Sequence, residues 1–115
     1  MTEPSIFTRI LRGDIPGEIL LETETVFAIR DINPQAPLHV LVIPKTEQYR
    51  DVTELAAGDA PLMADMVAAA KRIAEEHANG EYRLIFNNGA SAAQSVFHVH
   101  AHVLGNLPED RLIGF

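Results

Sequence analysis

The chain predicts an α+β domain with a mostly antiparallel sheet, and three features of its 115 residues carry that reading. Leu38–Ile43 is a nearly continuous apolar run of β-forming type, as expected of a central strand. Met63, Met66, Val67, Ala70, Ile73, Ala74 and His77 recur at three- and four-residue steps, the stripe of one amphipathic helix. Ser95–Leu104 alternates strictly, placing His98, His100 and His102 on one side and Phe97, Val99, Ala101 and Val103 on the other. A helix on the dry side of the sheet would leave the opposite face to the imidazoles.

Taken in order, Ser5 suits the N-cap of a short helix over Ile6–Leu11, with Gly13 as its stop. Glu18–Glu22 and Val26–Arg30 read as two strands joined by the polar turn Thr23-Glu24-Thr25. Asp31–Pro37 contains two prolines, which disfavour helix at the residues before them, so it reads as a loop. Pro44 ends the central strand. A short helical turn over Thr53–Ala57 should stop at Gly58, after which Asp59 caps the long helix with Pro61 in its first turn. Asp65, Arg72 and Glu76 lie off the apolar stripe, and Lys71 and Glu75 are spaced for a surface ion pair. His77 falls near a helix C-terminus, where the dipole favours a cation and a structural role is expected. Asn79-Gly80 ends that helix. Tyr82–Asn87 reads as a further strand, Asn88–Gln94 as a loop rich in small residues and amides, and the histidine strand follows. Asn106–Phe115 has no clear period. No repeat or linker divides the chain, so residues 1–115 are expected to form one domain.

Hydrophobic residues make up 47% and charged residues 22%, the balance of a folded soluble chain. The absence of cysteine removes disulfides, thiol nucleophiles and cysteine-ligated zinc. A net charge of −7 argues against a nucleic-acid partner, which would require clustered Lys and Arg. No apolar run approaches the roughly 18 residues of a membrane span, and the first residues lack the pattern of a signal peptide. No membrane partner and a cytoplasmic location are therefore expected.

The histidine row is where chemistry is expected, because imidazole is the side chain that changes charge near neutral pH. Same-face neighbours on a strand are about 6.6 Å apart and the outer pair about 13 Å. Metal–nitrogen bonds of about 2.0–2.1 Å make convergence of all three on one ion difficult. A purely solvated polar face would more naturally use Thr, Ser or Lys. As a catalytic row, a neutral imidazole attacks phosphorus, and a neighbouring imidazolium neutralises phosphoryl oxygens or protonates a leaving group. His100, flanked on both sides, is the natural nucleophile. The loop before it, Asn87–Ser95, could offer backbone N–H groups to a phosphate. His39, alone in the central strand, could be a core residue or lie beside the triple across two strands.

His98-Val99-His100-Ala101-His102-Val103-Leu104 resembles the histidine triad pattern, in which three histidines alternate with apolar residues. The resemblance extends through Ile6-Phe7, Asp31–Pro37, His39–Lys45, Gln94–Phe97 and Gly105, and is nearest to the histidine triad nucleotide-binding (Hint) branch. It implies a five-stranded, mostly antiparallel, homodimeric fold that binds purine nucleotides and cleaves nucleoside 5′-phosphoramidates through a nucleotidyl-histidine, with no metal or other cofactor required. Hydrolysis of dinucleoside polyphosphates is the activity of a related branch, and a nucleotide-binding interaction module is the reading outside enzymology. By position, the resemblance makes His100 the nucleophile, with its tautomer held by the His98 carbonyl. It has His102 contact phosphoryl oxygens and His39 support His98. Asp31 would bind the ribose hydroxyls; Asn87 and Ser95 would meet the phosphate or leaving group, with Gln94 among the nucleotide contacts. Ile6, Phe7, Ile29 and Ile32 resemble the apolar base pocket. This chain departs from many relatives in carrying Ala92-Ala93 where they have glycines, in Arg30 near the base, and in a tail without tryptophan.

Overall fold

The computed structural model describes residues 3–111. Helix α1 (Ile6–Leu11) leads into strands β1 (Ile19–Glu22), β2 (Val26–Arg30) and β3 (Leu38–Pro44). Helices α2 (Val52–Gly58) and α3 (Ala60–His77) follow, then β4 (Arg83–Ile85) and β5 (Ala101–Gly105). The strands form one antiparallel sheet in the order β1-β2-β3-β5-β4. All seven residues of β3 are buried because both faces of this central strand are covered, which is why it reads as an unbroken apolar run.

Alternation along the strands divides the interior in two. On one face Ala28, Val40, Val42, Ala101 and Val103 pack against Met66, Ala70 and Ile73 of α3. On the other, Phe27, Ile29, Leu41 and Ile43 pack under Phe7 of α1. The short helix α1 covers only part of this second face. What it leaves open is where His100 and His102 lie.

The long helix begins as expected: Asp59 accepts the Leu62 N–H at 3.1 Å, and Pro61 sits in the first turn. Its buried face is rotated from the expected stripe. Leu62 and Ala69 are buried while Val67 is 40% exposed and His77 is exposed. A regular helix seen end-on offers several overlapping stripes of small apolar residues, and the curvature of the twisted sheet beneath selects among them. Lys71–Glu75 and Arg72–Glu76 form ion pairs on the outer surface.

The histidine strand is shorter than its alternation suggested. Pairing between β3 and β5 runs from Leu38↔Gly105 to Val42↔Ala101 and stops there. Beyond it stands Pro44, which has no N–H to give a ladder. Val99 N–H instead donates to the Tyr49 carbonyl at 3.1 Å. Phe97 is therefore outside the core, 43% exposed, with the Arg50 guanidinium 5.2 Å from its ring centre. The expected strand over Tyr82–Asn87 is likewise reduced to Arg83–Ile85, at the sheet edge. No described helix is long and apolar enough to cross a membrane.

Candidate active site

Although the residues before Ala101 leave the ladder, their alternation survives. His100 and His102 face the side covered by α1, and Phe7 meets His100 edge-on with centroids 4.9 Å apart. Together with Ile6, Ile29, Asp31, Ile32, Asn87 and Ser95, these three line a cavity of about 390 Å³. That volume lies in the range of small-molecule sites. Ile6 and Ile32 stand at its mouth, 46% and 89% exposed, whereas Phe7 and Ile29 form its floor, 6% and 4% exposed. Asn87 and His102 also line a smaller cavity of about 170 Å³ beside His39, Ile85 and Leu104.

The hydrogen-bond partners assign a tautomer to each ring. His100 Nδ1 lies 2.8 Å from the His98 carbonyl, which can only accept, so the proton is on Nδ1 and Nε2 keeps its lone pair. His98 itself is buried and does not face the cavity. Its Nε2 donates to the Pro44 carbonyl at 2.7 Å, and its Nδ1 accepts from Ser5 Oγ at 2.6 Å. His39 Nδ1 accepts the Gln35 N–H at 2.9 Å, so its proton is on Nε2. That Nε2 lies 2.9 Å from His102 Nδ1 and 3.4 Å from Asp31 Oδ2. His102 therefore accepts at Nδ1 and presents an N–H at Nε2.

The partner of His39 is thus His102 rather than His98, a correction to the expectation. His98 is claimed by α1 and Pro44 instead. Gln94 is the second correction. It is buried outside the cavity, where its amide donates to the Arg50 and Val96 carbonyls at 2.6 and 3.0 Å and accepts the Gly89 N–H at 2.8 Å. It folds the loop, and its side chain does not line the cavity. Asp31 does line the cavity while also accepting the Asn33 N–H at 2.8 Å, so it is a turn residue and a site residue together. Asn87 braces the same loop through the Ala92 carbonyl at 2.9 Å.

Burial pushes all four imidazoles below the ordinary histidine value, since a charged ring is costly away from water. For His100 the His98 carbonyl opposes this, favouring the protonated ring. In His39 the nearby Asp31 carboxylate pulls upward against the burial. His102 goes furthest, to about 4, because burial is reinforced by His100 and His39 beside it. The site at neutral pH is a set of uncharged rings with fixed donor and acceptor ends.

Asp31, His39 and His102 also bring three potential metal-ligand atoms within 4.8 Å of one another. The fit is poor. A metal on His39 Nε2 would drive its proton to Nδ1, against the Gln35 N–H that already points there. The cluster is built as a hydrogen-bond relay. Ser5 and Gln35 take part in these networks yet gave no signal beyond the capping pattern at Ser5, because the Ser5–His98 bond spans 93 positions and Gln35 acts through its main-chain N–H.

Comparison with known proteins places this arrangement among relatives. The HIT domain family model matches residues 12–109. A purine nucleoside phosphoramidase of Escherichia coli K12 is 39% identical over 110 residues, covering 94% of this chain and 92% of that protein. Among solved structures, a HIT family hydrolase from Clostridium thermocellum superposes with a TM-score of 0.86 at 41% identity, covering 95% of this chain and 96% of the other. A zinc-bound histidine triad family protein from Mycobacterium smegmatis gives a TM-score of 0.78 at 36% identity, with coverages of 95% and 79%.

Proposed function

The chain belongs to the HIT domain family, and from that premise we propose that it is a nucleotidyl hydrolase cleaving purine nucleoside 5′-phosphoramidates. The observation that carries this reading is the His100 ring at the cavity, with Nδ1 tied to the His98 carbonyl and Nε2 left basic. A neutral nitrogen of this kind attacks the α-phosphorus, the P–N bond to the amine breaks, and a nucleotidyl-histidine forms. The departing amine takes a proton that comes from solvent and is passed on by the Ser95 hydroxyl, because the buried rings are uncharged at neutral pH. Water then cleaves the bond between phosphorus and His100, releasing the nucleoside monophosphate.

The other residues divide by chemistry. His102 offers its Nε2–H to a phosphoryl oxygen, with Asn87 and Ser95 as neutral donors in a protein of net charge −7. Asp31, held by its turn, accepts from the ribose diol. Ile6, Phe7, Ile29 and Ile32 enclose the purine. No metal enters the reaction, and His39 acts on it through His102. A homodimer in the cytoplasm goes with this reading.

The deciding experiment is mass spectrometry of the protein mixed with an AMP-amine and quenched during turnover. An AMP adduct is expected on the wild type and none on His100→Asn, which should retain AMP binding while losing turnover. Wild-type protein that binds AMP but neither turns over nor forms an adduct would make it a binding module. A higher kcat/KM for diadenosine polyphosphate than for the AMP-amine would move it to the related activity.

A further inference from the structure

Glu47, in the loop between β3 and α2, reaches back to the first turn of α1. Its Oε1 accepts the Ser5 N–H at 3.0 Å, and its Oε2 accepts the hydroxyl of the buried Thr8 at 2.8 Å. Ser5 in turn caps α1 by accepting the Thr8 N–H at 3.2 Å. The same Ser5 Oγ donates to His98 Nδ1 at 2.6 Å, across 93 positions of chain. Capping by itself accounts only for the Ser5–Thr8 pair. The remaining bonds leave the helix and converge on His98.

The geometry reaches the reacting ring in one more step. His98 is held at both nitrogens, by Ser5 and by the Pro44 carbonyl, and its own carbonyl lies 2.8 Å from His100 Nδ1. Helix α1 also carries Phe7, whose ring meets both His98 and His100, with centroids 5.7 and 4.9 Å away. A shift of α1 would therefore disturb the His98 ring, its main chain and the wall against His100 together. We propose that Ser5, Thr8 and Glu47 are positioning residues that lock α1 to the triad and, through the His98 main chain, hold the orientation and tautomer of His100. The inference rests on His100 as nucleophile for its kinetic consequence, yet the tautomer itself is a property of the nucleotide-free protein. Burial raises the Glu47 carboxyl, but hydrogen bonds from Thr8 and Ser5, with the nearby Arg12 charge, outweigh this and bring it below the usual carboxylate value. An ionised acceptor is what a pair of donors from one helix end requires.

The test compares Ser5→Ala, Thr8→Val and Glu47→Gln with the wild type, using Ser5→Thr as the conservative rescue. Imidazole nitrogen NMR without nucleotide should show His100 moving from the Nδ1–H form to a mixture of tautomers in Ser5→Ala and Thr8→Val. Turnover of an AMP-amine should fall in kcat by roughly tenfold to a hundredfold, with KM little changed, as misplacement of a reacting group predicts. Ser5→Thr should recover both. Folded variants with the wild-type His100 tautomer and kcat would overturn the proposal, and so would a lowered Tm with the tautomer unchanged. Turnover by His100→Asn would instead remove His100 from the role of nucleophile, and the NMR result would still decide whether these residues position the ring. Thr8→Val keeps the helix cap, so it answers even if Ser5→Ala does not fold.

Discussion

His39 and His102 share one hydrogen bond, Nε2 to Nδ1 at 2.9 Å, between adjacent strands of the sheet. Its direction is imposed from outside the pair, by the Gln35 N–H on His39 Nδ1. A backbone group in the loop before β3 thereby decides which nitrogen of His102 faces a ligand with a proton.

Replacing His39 with Phe keeps a ring of similar shape and removes that direction. His102 then loses its donor, and its Nε2–H is no longer enforced. Losing one hydrogen bond to a buried group is worth about 1–3 kcal/mol, so kcat/KM for an AMP-amine should drop by roughly fivefold to 150-fold. Steady-state kinetics at neutral pH would measure it. Wild-type kcat/KM in His39→Phe would show that the relay has no part in turnover.

The depressed imidazoles set a pH dependence with a definite sign. In the unfolded chain histidines protonate below about pH 6.5, whereas the folded protein holds them neutral to lower pH, His102 to about 4. The unfolded state therefore binds more protons in that interval, and stability is full above pH 6.5 and declines as pH falls toward 4. Urea unfolding at several pH values should show the midpoint dropping across this window. The acid limb of kcat/KM should likewise lie below pH 6.5, where His100 gains a proton. A midpoint flat from pH 7 to pH 4.5 would contradict the neutral-ring assignment.

Chelation should leave both turnover and Tm unchanged, because the Asp31–His39–His102 cluster is wired for protons. Dialysis against EDTA followed by the AMP-amine assay checks this directly. Loss of activity that zinc restores would show the His39 ring to be turned over relative to its position here.

Ala93 has φ 71° and ψ 21°, a left-handed conformation in the loop that lines the cavity. A side chain there costs about 1–2 kcal/mol, while glycine loses about 0.4–1 kcal/mol through the freedom it adds to the unfolded chain. Ala93→Gly should therefore stabilise the protein by up to about 1.5 kcal/mol, read from urea unfolding. Destabilisation by a similar amount would mean that the loop depends on the alanine methyl.

Much of this protein is written in local pattern. The capping groups Ser5 and Asp59, the buried run of β3 and the alternation of histidines with Val99, Ala101 and Val103 need only near neighbours to be read. The resemblance placed His100 beside the His98 carbonyl two residues away, and that bond is present. Asp31, Ile29, Phe7, Asn87 and Ser95 meet in one cavity with His100 and His102.

Partner choice was not legible in the same way. Periodicity states which face a residue takes but not which of several residues on that face it will touch. His39 and His102 meet because antiparallel pairing of β3 with β5 sets their register. His98 is left to Ser5 because Pro44 ends the ladder and α1 folds back over that side. Gln94 looked like a ligand contact in a loop of small residues, yet its amide is taken by backbone groups that only folding brings near.

Sequence alone therefore determined the type and order of the elements, the buried run of β3 and the row of imidazoles, because these follow from backbone geometry repeating every two or 3.6 residues. Tertiary structure decided which nitrogen carries each proton. A tautomer is chosen by the hydrogen-bond partner: the folded loop brings the Gln35 N–H to His39, strand register sets His39 against His102, and a helix end 93 residues away meets His98.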